Sequence, residues 1–219
     1  MIDGVLLIDK PDGMTSFGVV ARVRRVLSER AGMKVKVGHT GTLDPFATGL
    51  LILCVGKETK NAMGYTKLDK VYEATVRLGQ TSTTGDPEGD VTEVNDTQPS
   101  REDVEAALEK FIGEITQRPP IFSAIKVGGQ RAYDLARAGK EVEIPERQVT
   151  IHSLEVIDYT YPELKIRTHV SSGTYIRTLA EDIGKVLGTG AYCTQLRRTK
   201  VADWDVANAQ TLAEFGVDS

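Results

Sequence analysis

The sequence predicts an α+β fold with a mixed, largely antiparallel sheet flanked by helices. Three observations support this class. Strand-like segments outnumber helix-like ones, several strands adjoin in hairpin order, and amphipathic helices lie between them. The chain has 219 residues, 40% of them hydrophobic, which suits one globular domain that can bury a core. We therefore expect residues 1–219 to form a single domain.

Four segments in the first half of the chain have the composition of strands. They are, in order, GVLLIDKP, LLILCVG, VYEATVRLG and GDVTEV. LLILCVG is apolar on both faces, which predicts a central strand, whereas VYEATVRLG alternates. The turn residues GDPEG are expected to join the last two strands into a hairpin. After the first strand, Ser16 is the expected N-cap of a helix whose valines recur at helical spacing.

The second half opens with a helix, SREDVEAALEKFIG, which has Ser100 and Asp103 at capping-box spacing and ends at Gly113. A basic segment at about 118–146 follows. It combines a proline-led extended piece, a Gly-Gly turn and a short helix, and we expect it to project from the domain. The remaining predicted elements are the strands QVTIHSLEVIDY and ELKIRTHVSS, the helix TYIRTLAEDIGKVLG, the strand YCTQLRRTKV and the helix NAQTLAEF.

The charge distribution is compatible with a nucleic-acid partner even though the net charge is −4. Between Thr81 and Glu114, ten acidic and two basic residues give a local charge of −8, which leaves +4 on the remainder. Lysines and arginines elsewhere fall in several clusters. Segregated basic clusters are typical of a groove for a polyanion, although a charge run is also common on any solvated face.

Missing motifs argue against several other classes of function. No apolar run approaches the ~18 residues that span a bilayer, and the N-terminus lacks a basic secretion signal. Cys54 and Cys193 are interpreted as buried thiols of a reducing cytoplasm, and the scattered histidines give no metal spacing. VGKET lacks essential P-loop residues, GTGAYC lacks the third glycine of a dinucleotide site, and GxSxG is absent.

The loop GHTGTLDPFATGLL carries the densest set of reactive groups. Asp44 followed by proline is the usual opening of a helix, and His39 can be a structural histidine. However, Gly38, Gly41 and Gly49 allow a ligand to approach the backbone closely. The loop also leads into a buried strand, which can hold a carboxylate in one geometry. We therefore treat the loop as a candidate active site.

A carboxylate that reacts in a partly dry pocket has to stay ionised. Burial raises the pKa of a carboxyl group and a paired cation lowers it. Arg177 in SSGTYIR can supply that cation, although a solvent-facing arginine near a helix start fits the same pattern. Tyr72 opens an alternating strand, and it can stack on a planar ring or be an ordinary strand aromatic.

GHTGTLDPFATGLL resembles the catalytic motif of the TruB family, the tRNA pseudouridine-55 synthases. Four further blocks resemble that family and occur in its order: LLIDKPDGMTS, KVYEATVRLGQTSTTGD, PPIFSAIKVGGQRAYDLAR and SSGTYIRTLAEDIGKVLGTGAYCTQLRRT. Together they run from about Val5 to Lys200, nearly the whole chain. The resemblance implies the pseudouridine-synthase fold and a catalytic domain.

The resemblance also implies roles for individual residues. Asp44 would be the nucleophile and Arg177 its partner. Tyr72 would be a catalytic residue that stacks on the target uracil and could serve as an acid or base. His39 would help to hold the RNA loop open, and Leu196 would line the pocket. The other residues implied to support or bind the substrate are Lys10, Tyr175, Lys126, Arg131 and Arg137, the last three in the basic segment that grips the T-arm.

The implied reaction converts the T-loop uridine at tRNA position 55 to pseudouridine after the base leaves its stack. It requires no cofactor and no metal. The implied partner is the T-arm of tRNA, with no membrane and no obligatory protein partner, and we expect a cytoplasmic monomer. About twenty residues follow Lys200, too few for the C-terminal PUA domain that many relatives carry.

Two alternatives remain open at this level. A non-catalytic tRNA-binding or tRNA-folding protein on the same scaffold would bind tRNA without forming product. A guide-dependent pseudouridylase that acts on other RNA would not turn over naked tRNA. A carboxylate-dependent hydrolase is less favoured, because no clear second carboxylate partner is present.

Overall fold

The computed structural model describes residues 3–121, 123, 126–127, 130–131 and 144–217. The chain divides into two compact units. Unit 1 comprises Met1–Tyr72 and Arg197–Ser219, and unit 2 comprises Glu73–Leu196. Among the described residues, no helix is both long enough and apolar enough to cross a membrane.

The described residues form a mixed sheet and several α-helices, which confirms the predicted α+β class. The strands are β1 Gly4–Lys10, β2 Val37–His39, β3 Thr48–Val55, β4 Lys70–Leu78, β5 Gln80–Ser82, β6 Val91–Glu93, β7 Gly113–Gln117, β8 Lys126–Val127, β9 Gln130–Arg131, β10 Arg147–Thr160, β11 Glu163–Val170, β12 Ala191–Val201 and β13 Trp204–Asp205. The α-helices are α1 Ser16–Ala31, α2 Ala62–Thr66, α3 Arg101–Glu109, α4 Ile176–Leu187 and α5 Leu212–Phe215.

Unit 1 is built around β3, which is buried along nearly its whole length as its two-faced apolar pattern predicts. β1 and β2 pair with β3 in antiparallel orientation. The end of β12 pairs with the start of β3 in parallel orientation. The apolar stripe of α1 packs on this sheet together with α5. The buried residues of this core include Ile8, Val19, Val23, Leu53 and Phe215.

Unit 2 contains an antiparallel sheet in which β10 lies between β11 and β7. Residues 73–78 of β4 and the first part of β12 extend that sheet beyond β11. α4 buries one face, including Ile176, Leu179 and Ile183, as its helical periodicity predicts. It ends where Gly188 adopts the left-handed conformation, with φ of 70°.

Three local predictions differ from the structure. The N-cap of α1 is Thr15, whose side chain accepts a hydrogen bond from the Gly18 amide, and Ser16 is the first helical residue. β6 pairs with the short β5 and not with β4, the predicted hairpin partner. Gly79, with a φ of 85°, separates β4 from β5. α3 begins at the predicted capping box of Ser100 and ends at Glu109, not at Gly113, which is the first residue of β7.

Candidate active site

Asp44 lies in the loop between β2 and β3, and it does not begin a helix. The chain turns at Pro45 and Phe46, and the Ala47 amide donates to the Asp44 carbonyl at 3.1 Å. β3 starts immediately afterwards, at Thr48. The helix-capping explanation for the Asp-Pro pair is therefore wrong, and the half-buried Asp44 sits on a tight turn ahead of a buried strand.

The residue before Asp44 is held by the buried hydroxyl group of Ser16. Ser16 Oγ donates to the Leu43 carbonyl at 2.9 Å and accepts from the Leu43 amide at 2.8 Å. Both backbone groups of Leu43 are thus bound to the first residue of α1. The Ser16 hydroxyl group, predicted to cap its own helix, instead fixes the backbone that leads into the loop of Asp44.

The residue after Asp44 is held by Lys10, which is 0% exposed. Its ammonium group donates to the carbonyls of Pro11 at 2.8 Å, Met14 at 2.5 Å and Pro45 at 3.0 Å. The Pro45 carbonyl also accepts from the Gly13 amide at 3.0 Å. A buried ammonium group needs this full set of acceptors, so Lys10 binds the β1–α1 connection to the backbone beside Asp44.

Lys10→Met is expected to lower the free energy of unfolding by about 3 kcal/mol, because three backbone carbonyls lose the hydrogen bonds that a fully buried ammonium group donates to them. Urea unfolding followed by circular dichroism measures the loss. Lys57→Met is the matched control: Lys57 is largely exposed and lies 3.9 Å from Asp3, so its loss is expected to cost under about 0.5 kcal/mol. Equal, small losses in both variants would show that Lys10 does not hold the loop.

Arg198 supports the two ends of the same loop, and sequence reasoning missed it. Its buried guanidinium group donates from Nε to the Leu50 carbonyl at 2.8 Å and from Nη2 to the Gly41 carbonyl at 3.0 Å. Gly49 has a φ of 101°, and a Cβ there would lie 2.3 Å from the Arg198 carbonyl oxygen. Only glycine therefore allows β3 and β12 to meet at this point.

A third buried cation of unit 1, Lys70, lies near Arg198. Burial, and then the charge of Arg198, lower the pKa of Lys70 to about 8, while Asp69 partly opposes that change. The Lys70 ammonium group donates to the carbonyls of Thr66, at 3.0 Å, and Leu68. Unit 1 thus places two basic side chains behind the Gly41 end of the loop.

His39 and Tyr72 also belong to unit 1. His39 is the last residue of β2, is half-buried, and pairs with Leu53 of β3. Its Nδ1 accepts from the Gly41 amide at 3.4 Å, so the imidazole ring lies against the start of the loop. Tyr72 is the third residue of β4 and is buried, with 7% of its surface exposed.

Arg177 belongs to unit 2, and its interpretation as a solvent-facing residue is wrong. It is the second residue of α4 and is buried. Its Nη1 donates to Asp86 Oδ2 at 2.8 Å and to the Thr84 carbonyl at 2.9 Å. The Arg177 and Asp86 side chains are 4% and 5% exposed, so this ion pair is almost completely withdrawn from water.

Asp86 is the second residue that sequence reasoning missed. Its Oδ1 accepts from Thr84 Oγ1 at 2.5 Å and from the Glu88 amide at 3.0 Å. The carboxylate is therefore oriented by its own loop before it meets Arg177. A signal for it existed, because Asp86 is the last residue of the block KVYEATVRLGQTSTTGD. Its place before proline in GDPEG favoured an ordinary turn instead.

Of the other candidate residues of unit 2, the structure describes Tyr175 and Leu196 fully and only the backbone of Lys126 and Arg131. Tyr175 directly precedes α4 and is half-buried, and Leu196 in β12 is buried. Lys126 and Arg131 face each other across the pair of β8 and β9. Their side chains, the whole of Arg137 and most of the predicted projecting segment lie outside the described residues.

Comparison with known proteins identifies the family. A model of the TruB family pseudouridylate synthase N-terminal domain matches residues 24–176, and one of the tRNA pseudouridylate synthase B C-terminal domain matches 177–217. Curated tRNA pseudouridine synthase B of Azoarcus sp. (strain BH72) is 50% identical over 97% of this chain and 69% of its own. That of Burkholderia mallei (strain NCTC 10247) is 48% identical over 96% and 68%.

Solved structures agree with this relationship. A Cbf5-Nop10-Gar1 complex contains a chain that is 29% identical, with a TM-score of 0.73 over 96% of this chain. The present chain spans about half of that chain, 52% of its length. The family models cover most of the sequence, and the curated relatives match it almost from end to end. The chain belongs to the TruB family of pseudouridylate synthases.

Proposed function

We propose that the protein is a tRNA pseudouridine synthase that converts the T-loop uridine at tRNA position 55 to pseudouridine. One observation carries the proposal: Asp44 stands on a turn whose flanking residues, Leu43 and Pro45, are both bound by buried side chains. A carboxylate carried on a backbone that is held on both sides is suited to act as a nucleophile. Curated relatives that are 48–50% identical carry the name tRNA pseudouridine synthase B.

The reaction rearranges bonds within one nucleotide. The N1–C1′ bond breaks, the uracil rotates, and C5 joins C1′. C5 loses its proton and N1 gains one, so the isomerisation balances without an oxidant or a reductant. The target base first has to leave its stack, at a cost of a few kcal/mol. We assign Tyr72 the role of stacking on the extruded uracil and His39 that of holding the RNA loop open.

Asp44 is the proposed nucleophile. Its carboxylate displaces N1 from C1′ and is displaced in turn when C5 joins C1′, or it adds to C6 and is eliminated after the uracil has been rejoined. In a third route it assists cleavage of the glycosidic bond through a stabilised sugar intermediate. In each route the carboxylate has to be ionised. Arg177 is proposed to supply the cation that maintains this state, and Leu196 is proposed to line the pocket for the base. Lys10 is proposed to support the site through the loop backbone.

The proposed partner is the T-arm of tRNA. RNA loops are recognised through shape, stacking and phosphate contacts, which suits a chain that has a basic segment and tyrosines among its candidate substrate-binding residues. Lys126, Arg131 and Arg137 are proposed to contact the T-arm backbone, and Tyr175 to contact the substrate. The related chain in the solved complex occurs with Nop10 and Gar1. We propose that this protein acts in the cytoplasm as a monomer, without an obligatory protein partner.

The test is tritium release from a tRNA transcript labelled at uracil C5, since C5 loses its hydrogen when it joins C1′. We expect one tritium per tRNA, released from the T-loop position and from a T-arm stem-loop alone. A transcript with cytidine at position 55 is the control and should release none. Tight tRNA binding without release would favour a tRNA-binding or tRNA-folding protein. Release only after a guide RNA is added would favour a guide-dependent enzyme.

A further inference from the structure

We propose that Gln117 and Arg147 are positioning residues that together hold Tyr175 in place for the RNA substrate. The inference rests on the proposed function, which assigns Tyr175 to substrate contact. Every group that carries it lies in unit 2.

Gln117 and Arg147 reach Tyr175 from one place in the sheet. Gln117 ends β7, Arg147 begins β10, and the two are direct partners in the antiparallel pairing of these strands. The Gln117 side chain is buried and binds both backbone groups of Tyr175. Its Oε1 accepts from the Tyr175 amide at 3.0 Å, and its Nε2 donates to the Tyr175 carbonyl at 3.2 Å. This amide fixes the backbone from which the ring projects.

Arg147 holds the ring itself. Its Cζ lies 4.8 Å from the centroid of the Tyr175 ring, which is the range of a cation–π contact. Gly173 provides the room for this arrangement, because a Cβ at that position would lie 3.2–3.3 Å from three atoms of the guanidinium group. The Tyr175 ring is thus supported by a planar cation and its backbone by an amide.

Arg147 occupies this place at a cost to stability. Its Nε and Nη2 are buried and have no hydrogen-bond partner among the residues that the structure describes. Its charge also lies beside the start of α4, where the helix dipole disfavours a cation. Donors buried without partners cost free energy, whereas the Tyr175 ring offers the guanidinium group a favourable contact. The guanidinium group is therefore explained by the ring that it supports.

The consequence reaches beyond Tyr175. This residue is the N-cap of α4, has no side-chain capping bond of its own, and lies two residues before Arg177. Gln117 and Arg147 therefore fix the start of the helix that carries the buried arginine. A ring and a helix start that are held before RNA arrives need less reordering when it binds.

The first test compares Arg147→Met with Arg147→Lys in turnover of the T-arm stem-loop. Arg147→Met should lower kcat by about tenfold while the melting temperature stays unchanged or rises, because the variant removes the buried unpaired donors. Arg147→Lys keeps a cation and should recover part of the rate. Arg167→Met is the matched control, since Arg167 is an exposed strand arginine bonded to Glu73, and its kcat should be unchanged. A melting temperature that falls in parallel with kcat would overturn the proposal.

A double-mutant cycle tests whether Arg147 acts through Tyr175. The pair Arg147→Met and Tyr175→Leu should lose no more activity than Tyr175→Leu alone, because the ring that Arg147 supports is already absent. Gln117→Leu should reduce kcat in the same direction. Independent, multiplicative losses would mean that Arg147 acts elsewhere, and the inference would fail.

A measurement without turnover separates this inference from the proposed function. The chain has seven tyrosines, so 3-fluorotyrosine labelling gives a small set of fluorine resonances. Tyr175→Phe identifies the resonance of Tyr175. Arg147→Met should shift or broaden that resonance, and Arg167→Met should not. An unchanged Tyr175 resonance would overturn the inference even in an active enzyme. A shifted Tyr175 resonance in a protein that releases no tritium would support the contact between Arg147 and Tyr175. It would contradict only the proposed tRNA pseudouridine synthase activity.

Discussion

Asp44→Asn is expected to abolish tritium release from C5-labelled tRNA, with kcat reduced by at least about 10³-fold. The amide group has almost the same shape as the carboxylate but cannot attack carbon as an anion. The turn should survive, because its hydrogen bond uses the backbone carbonyl of residue 44 and the Ala47 amide. The bonds from Ser16 and Lys10 are likewise made to the backbone of neighbouring residues. Affinity for tRNA should therefore stay at the wild-type level.

The control is Asp203→Asn, which neutralises an exposed carboxylate of the same unit. It should match the wild type in rate and in tRNA binding. Filter binding and single-turnover release, measured on the same preparations, separate chemistry from affinity. If Asp44→Asn retained a substantial part of the wild-type rate, Asp44 would not be the nucleophile. If affinity and rate fell together, Asp44 would be part of RNA binding instead.

The sequence predicted a helix end correctly where the residues that fix that end are close together in the chain. The capping box of Ser100 and the left-handed Gly188 each involve residues within one or two turns, and both are present. The prediction failed at Ser16, where two adjacent hydroxyl residues can cap the same helix. The choice is made by Leu43, 27 positions away, which takes the Ser16 hydroxyl group and leaves the cap to Thr15. Periodicity carries no information about such a partner.

The candidate site was predictable to the extent that its residues share one motif. Asp44 and His39 both lie in the motif GHTGTLDPFATGLL, and Lys10 lies in LLIDKPDGMTS and donates to the Pro45 carbonyl of that motif. Asp86 and Arg198 were missed because their importance depends on burial. Asp86 meets Arg177 across 91 positions, and Arg198 meets Gly41 across 157. A charged residue in a turn or on a strand is usually exposed, and only the folded chain shows that these two are not.

Asp86→Asn is expected to lower the free energy of unfolding by about 3 kcal/mol and to reduce kcat about 100-fold. The asparagine keeps an oxygen for Thr84 and Glu88, so the loop should retain its turn. The substitution removes the negative charge opposite Arg177. Only about 5% of each side chain in this ion pair is exposed. The matched control is Glu105→Gln, which breaks an exposed pair with Arg101 and should cost under about 0.5 kcal/mol.

The double variant Asp86→Asn with Arg177→Met separates the structural part of the pair from its chemical part. Removing both charges leaves no buried cation without its counter-charge, and buried pairs replaced by uncharged groups are often no less stable. Urea unfolding should therefore place the double variant above Asp86→Asn in stability. Turnover should remain as low as in Arg177→Met, because the proposed role of Arg177 needs its guanidinium group. Recovery of both stability and rate would mean that the pair serves the fold alone, and the proposal that Arg177 keeps the nucleophile ionised would have to be abandoned.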